Sequence, residues 1–110
     1  MMRSNLGNLG AKQWGTFVNT FSAAGSQAGT VALSNGQTGK PVVIRASGNV
    51  SGQVSLTYGN GSQVIIPVNP NAPYTEEKVP ASGFPNPTNA VAVTLTADGA
   101  GTIRCLVGFN

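Results

Sequence analysis

Apolar and polar residues alternate along most of this chain, and the alternation is clearest between residues 53 and 68. Residues 54–58 and 64–68 form two extended runs on either side of Gly59-Asn60-Gly61. Alternation that flanks an Asn-Gly pair is the strongest short-range signal of a β-hairpin. Both residues tolerate the positive φ of a primed turn. We therefore predict a hairpin here, with Pro67 on an edge strand because proline cannot donate to a central ladder.

The same pattern predicts about seven strands, separated by turn signals and without a helix candidate. They cover residues 16–24, 30–34, 41–46, 53–58, 64–68, 90–96 and 102–110. The glycine-containing residues 25–29 are predicted to form a loop, and the last two strands are predicted to form a second hairpin around residues 97–101. Alternation in the final strand points Ile103, Cys105, Val107 and Phe109 inward. In the third strand, Arg45 is the exception to an apolar run.

Short strands at this spacing indicate an all-β fold, an antiparallel β-sandwich that is jelly-roll-like or immunoglobulin-like, with Greek-key connections. No Cys-Trp-Cys pattern supports a true immunoglobulin domain. We predict one domain over residues 15–110, preceded by an extended N-terminal arm at 1–14. Residues 69–88 contain five of the seven prolines and are predicted to be a long loop. That loop is either a crossover between the sheets or an arm that contacts a neighbouring subunit.

The chain offers little catalytic chemistry. It has no histidine, three acidic residues and one cysteine, which excludes His-based catalysis and nearly all zinc sites. Glu76 and Glu77 are adjacent, and neighbours in an extended segment point to opposite sides. We therefore predict that the protein is not an enzyme and has no cofactor and no metal site.

The charge pattern and the hydropathy also limit the possible partners. The net charge of +3 comes from scattered residues and forms no basic stripe, so nucleic-acid binding is not expected. No apolar run reaches the ~20 residues of a membrane span. The first residues lack the apolar region of a signal peptide. We expect a chain that is made in a cytoplasm, without export and without membrane contact.

The scarcity of charge is the most informative feature of the composition. Only 8% of residues are charged, against about 25% in an average domain, and the remaining polar residues are mostly Ser, Thr, Asn, Gln and Gly. Charge normally keeps copies of a protein apart and protects sheet edges. A surface without it is easily desolvated and resembles the charge-depleted core of an interface. The composition therefore predicts a subunit of a larger assembly, and a homo-oligomer.

The arm at 1–14, the strands rich in small polar residues and the proline-rich 69–88 segment resemble small β-rich virion proteins of tailed bacteriophages, of the capsid decoration (cement) type. The resemblance implies a non-enzymatic and often trimeric protein of the virion, made in the host cytoplasm. Its partner would be the major capsid protein or another virion subunit, because such proteins clamp adjacent capsomers on the capsid lattice. The contacts would come from the arm and the loop, through Leu6, Leu9, Trp14, Tyr74 and Phe84. From its sequence alone, Trp14 fits either the edge of the core or an interface.

Two other functions fit the same pattern. The first is a small phage tail or neck protein, or a receptor-binding module that holds carbohydrate on an exposed aromatic platform, for which Trp14, Tyr58 and Tyr74 are the candidates. The second is a pilus-like or surface-layer subunit, against which the missing export signal argues.

Overall fold

A computed structural model describes residues 10–34 and 36–110 and shows two four-stranded antiparallel sheets packed face to face. The strands are β1 (Gln13–Phe21), β2 (Gly25–Ala32), β3 (Pro41–Gly48), β4 (Gly52–Thr57), β5 (Gln63–Val68), β6 (Thr75–Lys78), β7 (Ala90–Ala97) and β8 (Gly101–Phe109). A single turn of 3₁₀ helix spans Ala81–Gly83. The predicted all-β sandwich is confirmed, with eight strands instead of about seven.

The strand order is that of a jelly roll. The first sheet runs β1-β8-β3-β6 and the second runs β2-β7-β4-β5. Antiparallel pairs form between β1 and β8, β2 and β7, β3 and β6, and β4 and β5. The chain is thus one long hairpin, doubled back at the β4–β5 turn and rolled into two sheets. This order selects the jelly-roll alternative and excludes the immunoglobulin-like one.

The β4–β5 hairpin is confirmed, but its turn differs from the predicted one. Tyr58 N–H donates to Ser62 O at 2.7 Å, and Gly61 N–H donates to Tyr58 O at 3.0 Å. Residues 59–61 therefore form a three-residue loop, in which Gly61 has φ +91°. The Asn60 side chain accepts from the Ser62 N–H through Oδ1 at 3.0 Å, so Asn60 closes the turn with its side chain. Pro67 lies on β5, which is an edge strand as predicted.

The second predicted hairpin is wrong. β7 belongs to the second sheet and β8 to the first, so residues 98–100 carry the chain across the core. Val91, Val93 and Leu95 on β7 face the core from one side, and the predicted inward residues of β8 face it from the other side. Alternation reports only which face is buried. A hairpin and a corner between two sheets therefore produce the same sequence pattern.

The predicted 69–88 loop is also wrong in part, because it contains β6. This short strand pairs with β3 at the edge of the first sheet, with Glu76 opposite Arg45. Its sequence, Thr75-Glu76-Glu77-Lys78, has no apolar residue that could signal a strand. Charged and short edge strands are common because they prevent pairing with other chains.

β2 covers all of residues 25–29, the glycine-containing stretch that is predicted as a loop, so that prediction is wrong. A Cβ at Gly29 would overlap the ring of Phe17 on β1. The glycine therefore makes room for an aromatic ring between the two sheets and does not end the strand.

The N-terminal side of the domain begins earlier than predicted. β1 starts at Gln13, and Lys12 N–H donates to Phe109 O at 2.8 Å. Ala11 is buried. Residues 10–14 of the predicted arm are therefore packed onto the sandwich.

One apolar core fills the space between the sheets. Ile44, Leu56, Ile66 and Phe109 are fully buried in it. Cys105 is a buried free thiol of the same core, and its burial raises the pKa of the thiol to about 12.

Candidate partner-binding surfaces

The five residues predicted as partner contacts do not lie together in the structure. Leu6 and Leu9 lie outside the described residues. Trp14 is on β1 and Tyr74 directly precedes β6. The structure brings Trp14 and Tyr74 together on the outer face of the first sheet, although 60 positions separate them in the sequence. Phe84 lies elsewhere.

Arg45 joins the two rings. Its guanidinium carbon lies 4.6 Å from the centroid of the Trp14 ring and 4.8 Å from that of Tyr74. Arg45 Nε also donates to Glu76 Oε2, its cross-strand neighbour on β6. We call Trp14, Arg45, Tyr74 and Glu76 the aromatic–arginine cluster. The interruption of an apolar run by Arg45 was the one sequence signal that pointed to it.

Backbone geometry makes room for the Trp14 ring. Gly108 is opposite Trp14 in the β1–β8 register, and a Cβ at Gly108 would be 3.0 Å from Trp14 Cη2 and 2.7 Å from both Val43 Cγ1 and Ala11 Cβ. The indole therefore lies across Gly108 and close to Val43. The Val43 side chain is on the outer face of the sheet but is fully covered by its neighbours. Because its surroundings hold it in place, this ring loses little conformational entropy when a partner binds.

The cluster has the composition of an interface hot spot. Trp, Tyr and Arg are the residue types that dominate binding energy in protein interfaces. The Tyr74 side chain is 47% exposed, and Glu76 neutralises the arginine. A partner could therefore cover the cluster without leaving a buried unpaired charge.

Phe84 is a core residue, and its prediction as a contact is wrong. It is 9% exposed and packs edge-to-face against Tyr58, with the ring centroids 5.8 Å apart. The segment doubles back onto the sandwich because Val79 N–H donates to Val42 O at 2.9 Å and the Val79 side chain is buried. Proline content alone could not distinguish this docked segment from a projecting arm.

The outer face of the second sheet forms a second candidate surface. By register and burial, its outward-facing residues are Ser26, Ala28, Thr30, Ala32, Gln53, Ser55, Thr57, Gln63, Ile65, Pro67, Ala90, Ala92, Thr94 and Thr96. None of these side chains is charged. We call this surface the neutral face. The outer face of the first sheet, in contrast, carries Arg45, Glu76, Lys78 and Arg104.

Ser55 lies at the centre of the neutral face. It is opposite Thr94 on one side and Ile65 on the other, and it alternates with core residues, so its side chain points outward. The residue is only 7% exposed. Its Oγ is the one buried side-chain oxygen or nitrogen without a hydrogen-bond partner among residues 10–34 and 36–110. A buried hydroxyl without a partner is unfavourable by about 1–3 kcal/mol.

A cleft of about 600 Å³ opens at one end of the neutral face. It is lined by residues 57–60, 82, 84–88 and 90–92, and we call it the end cleft. Tyr58 is in its wall. Desolvation, with a smaller contribution from the Glu77 carboxylate, raises the pKa of the Tyr58 phenol, so this hydroxyl is protonated at neutral pH.

Trp14, Tyr58 and Tyr74 do not form one aromatic platform. Trp14 and Tyr74 belong to the cluster on the first sheet, whereas Tyr58 follows β4 of the second sheet. The three candidate rings for a carbohydrate platform therefore lie in two separate places.

No protein-family model matches the chain, and no significant similarity to a curated protein was found. The residues that the structure describes contain no group of three or more His, Cys, Asp or Glu side chains that could hold a metal ion. They also contain no helix with the length and apolar character of a membrane span.

Proposed function

We propose that this chain is a non-enzymatic structural subunit of a larger assembly, and more narrowly a decoration subunit of a virus capsid. The observation that carries the proposal is the neutral face. An antiparallel sheet with one face in water normally alternates apolar and polar residues, and its surface carries charge. Here the whole exposed side of one sheet lacks charge, while the other side of the same small domain does not.

A second copy of the chain is the occupant that the charge distribution favours for the neutral face. The chain carries a net charge of +3, so two copies repel each other overall. The neutral face lets them approach without apposing like charges.

The size of the neutral face explains why a second surface is needed. Four strands ~4.8 Å apart and ~20–26 Å long give a flat area of ~400–500 Å². A standard interface buries about 800 Å² on each partner. The neutral face alone therefore supports weak self-association. If two like faces meet, they close a dimer. If the neutral face meets a different surface, the copies form a ring such as a trimer when the rotation between them closes, and an open filament when it does not.

The aromatic–arginine cluster supplies the second surface in this proposal. It lies on the opposite side of the sandwich, so a copy that self-associates through the neutral face still presents the cluster to another protein. We assign the cluster to the major capsid protein or another virion subunit. The jelly-roll architecture is compatible with a virion role because viral capsid domains use it, as lectin domains and cupins also do. Leu6 and Leu9 stay predicted contacts of the same kind.

Self-association tests the broader proposal. We expect the protein to form oligomers at micromolar to millimolar concentration in analytical ultracentrifugation. Thr94→Lys should raise the dissociation constant of self-association by at least about 10-fold, because it places a charge beside Ser55 in the buried contact. Ala28→Lys, at an exposed position of the same face, should act likewise.

Thr20→Lys is the matched control, because Thr20 is exposed on the outer face of the first sheet. It should leave the association unchanged. A wild-type protein that stays monomeric at millimolar concentration, or an oligomer that tolerates both neutral-face lysines, would overturn this role of the neutral face.

Binding to virus particles tests the narrower proposal. Particles prepared without this protein should bind the purified chain in a co-sedimentation assay. Tyr74→Ser should weaken that binding by about 30-fold or more, because hot-spot side chains contribute about 2 kcal/mol or more. Val18→Ala, at an exposed valine on the same outer face, should change it little. If the wild-type chain does not bind the particles, the capsid role is wrong, whatever the result of the self-association test.

A further inference from the structure

The end cleft is a preorganised site that the proposed assembly role does not use. Its two rims are held together by a hydrogen bond from Gly59 N–H to Gly83 O at 3.0 Å and by the edge-to-face contact of Tyr58 with Phe84. Pro85 and Pro87 stiffen the far rim because proline fixes φ. Its volume of about 600 Å³ lies within the range of about 300–1,000 Å³ that is usual for small-ligand sites.

The polar side chains of the cleft are uncharged; the hydroxyls of Thr57 and Thr88 already form hydrogen bonds, whereas Asn60, Ser82 and Asn86 keep groups that are available to a ligand. Asn60 Oδ1 is engaged by the backbone and hydroxyl of Ser62, which fixes the side chain and leaves its amide N–H groups free for a ligand. The side chains of Ser82 and Asn86 have no hydrogen-bond partner among residues 10–34 and 36–110. An amide offers two donors and a carbonyl acceptor, and a hydroxyl offers one donor and two lone pairs. The lining contains no Asp, Glu, Lys or Arg.

We propose that the end cleft binds a neutral saccharide. The geometry combines amide and hydroxyl groups with the apolar surfaces of Tyr58, Pro85 and Pro87, and a sugar presents hydroxyl groups together with an apolar C–H surface. A charged ligand would be desolvated without gaining a counter-charge. An entirely apolar ligand would leave the amides of Asn60 and Asn86 unpaired.

Saccharide binding is separate from the proposed assembly role. The end cleft contains none of Trp14, Arg45, Tyr74 and Glu76. It shares only Thr57, Ala90 and Ala92 with the neutral face. Thr94 lies outside the cleft, so Thr94→Lys should bind the same saccharide as the wild type. Loss of self-association and loss of saccharide binding can therefore be observed independently.

The test is a panel of oligosaccharides, followed by NMR. The panel holds neutral chains that end in glucose, galactose, mannose or N-acetylglucosamine, together with sialylated and sulfated chains. We expect at least one neutral chain to bind at millimolar concentration or below and to shift amide signals of residues 57–60 and 82–88. Asn86→Ala should weaken this binding about 10-fold, the loss expected for one or two hydrogen bonds.

Asn71→Ala is the matched control, since Asn71 is an exposed loop asparagine outside the cleft, and it should bind like the wild type. Thermal melts of both variants verify that they fold. The proposal is overturned if no neutral chain binds, if only charged chains bind, or if Asn86→Ala binds undiminished. It is also overturned if a proline-containing peptide, and no saccharide, shifts the signals of the cleft residues.

Discussion

Ile66→Ala is expected to lower the free energy of unfolding by about 3 kcal/mol, whereas Ile65→Ala, one residue away, lowers it by less than about 0.5 kcal/mol. Ile66 is fully buried between the sheets, and Ile65 is 54% exposed on the neutral face. Truncating Ile66 removes apolar contacts and leaves a cavity. Truncating Ile65 removes a side chain that is already in contact with water.

Urea denaturation of the two variants at low protein concentration measures the difference directly. Low concentration matters because Ile65 is part of the proposed self-association surface. Equal losses in the two variants would mean that β5 is displaced by one residue, since such a shift exchanges the two faces of a strand. The assigned composition of the neutral face would then be wrong as well.

Alkaline pH is expected to destabilise the wild-type protein more than Cys105→Ala, by up to about 4 kcal/mol. The pKa of the buried thiol is about 12, against an ordinary value of 9.0. Below pH 9 the thiol is protonated in the folded and in the unfolded chain, so its contribution is constant. Between pH 9 and 12 the unfolded chain loses this proton and the folded chain keeps it. Stability therefore falls by about 1.4 kcal/mol for each pH unit.

Denaturant unfolding at pH 8, 10 and 11 measures this effect as the difference between wild type and Cys105→Ala. Alanine leaves a small cavity, which lowers stability equally at each pH, and it removes the titrating group. The difference between the two proteins should therefore shrink as the pH rises. Curves that stay parallel up to pH 11 would show that the thiol is accessible to water in the folded protein.

The sequence predicts the parts of this fold that depend on local pattern. Alternation identified the buried faces of β4, β5, β7 and β8, and the Asn60-Gly61 pair marked the hairpin. Alternation does not show which distant strands pair with each other, because any pairing that buries the same face is consistent with the same pattern. The false β7–β8 hairpin follows from this limit. β6 was missed because an edge strand that pairs through its backbone needs no apolar side chain.

The candidate surfaces depend even more on long-range register. Trp14 and Tyr74 were selected for their residue types, and only the pairing of β1 with β8, β8 with β3, and β3 with β6 brings them to Arg45. The role of Gly108 beneath the indole likewise appears only in three dimensions. Phe84 is predicted as a contact on the 69–88 loop because the backbone hydrogen bond from Val79 to Val42, which holds that segment against the sandwich, has no signature in the sequence.

The position of β8 also constrains how the protein is made. This strand lies between β1 and β3, which do not touch each other within the first sheet, so neither can complete its pairing until translation has passed Phe109. The second sheet takes its four strands from residues 25–97, so it does not depend on the most C-terminal strand, whereas the first sheet does. A chain that lacks β8 would therefore leave part of the core-facing side of the second sheet uncovered.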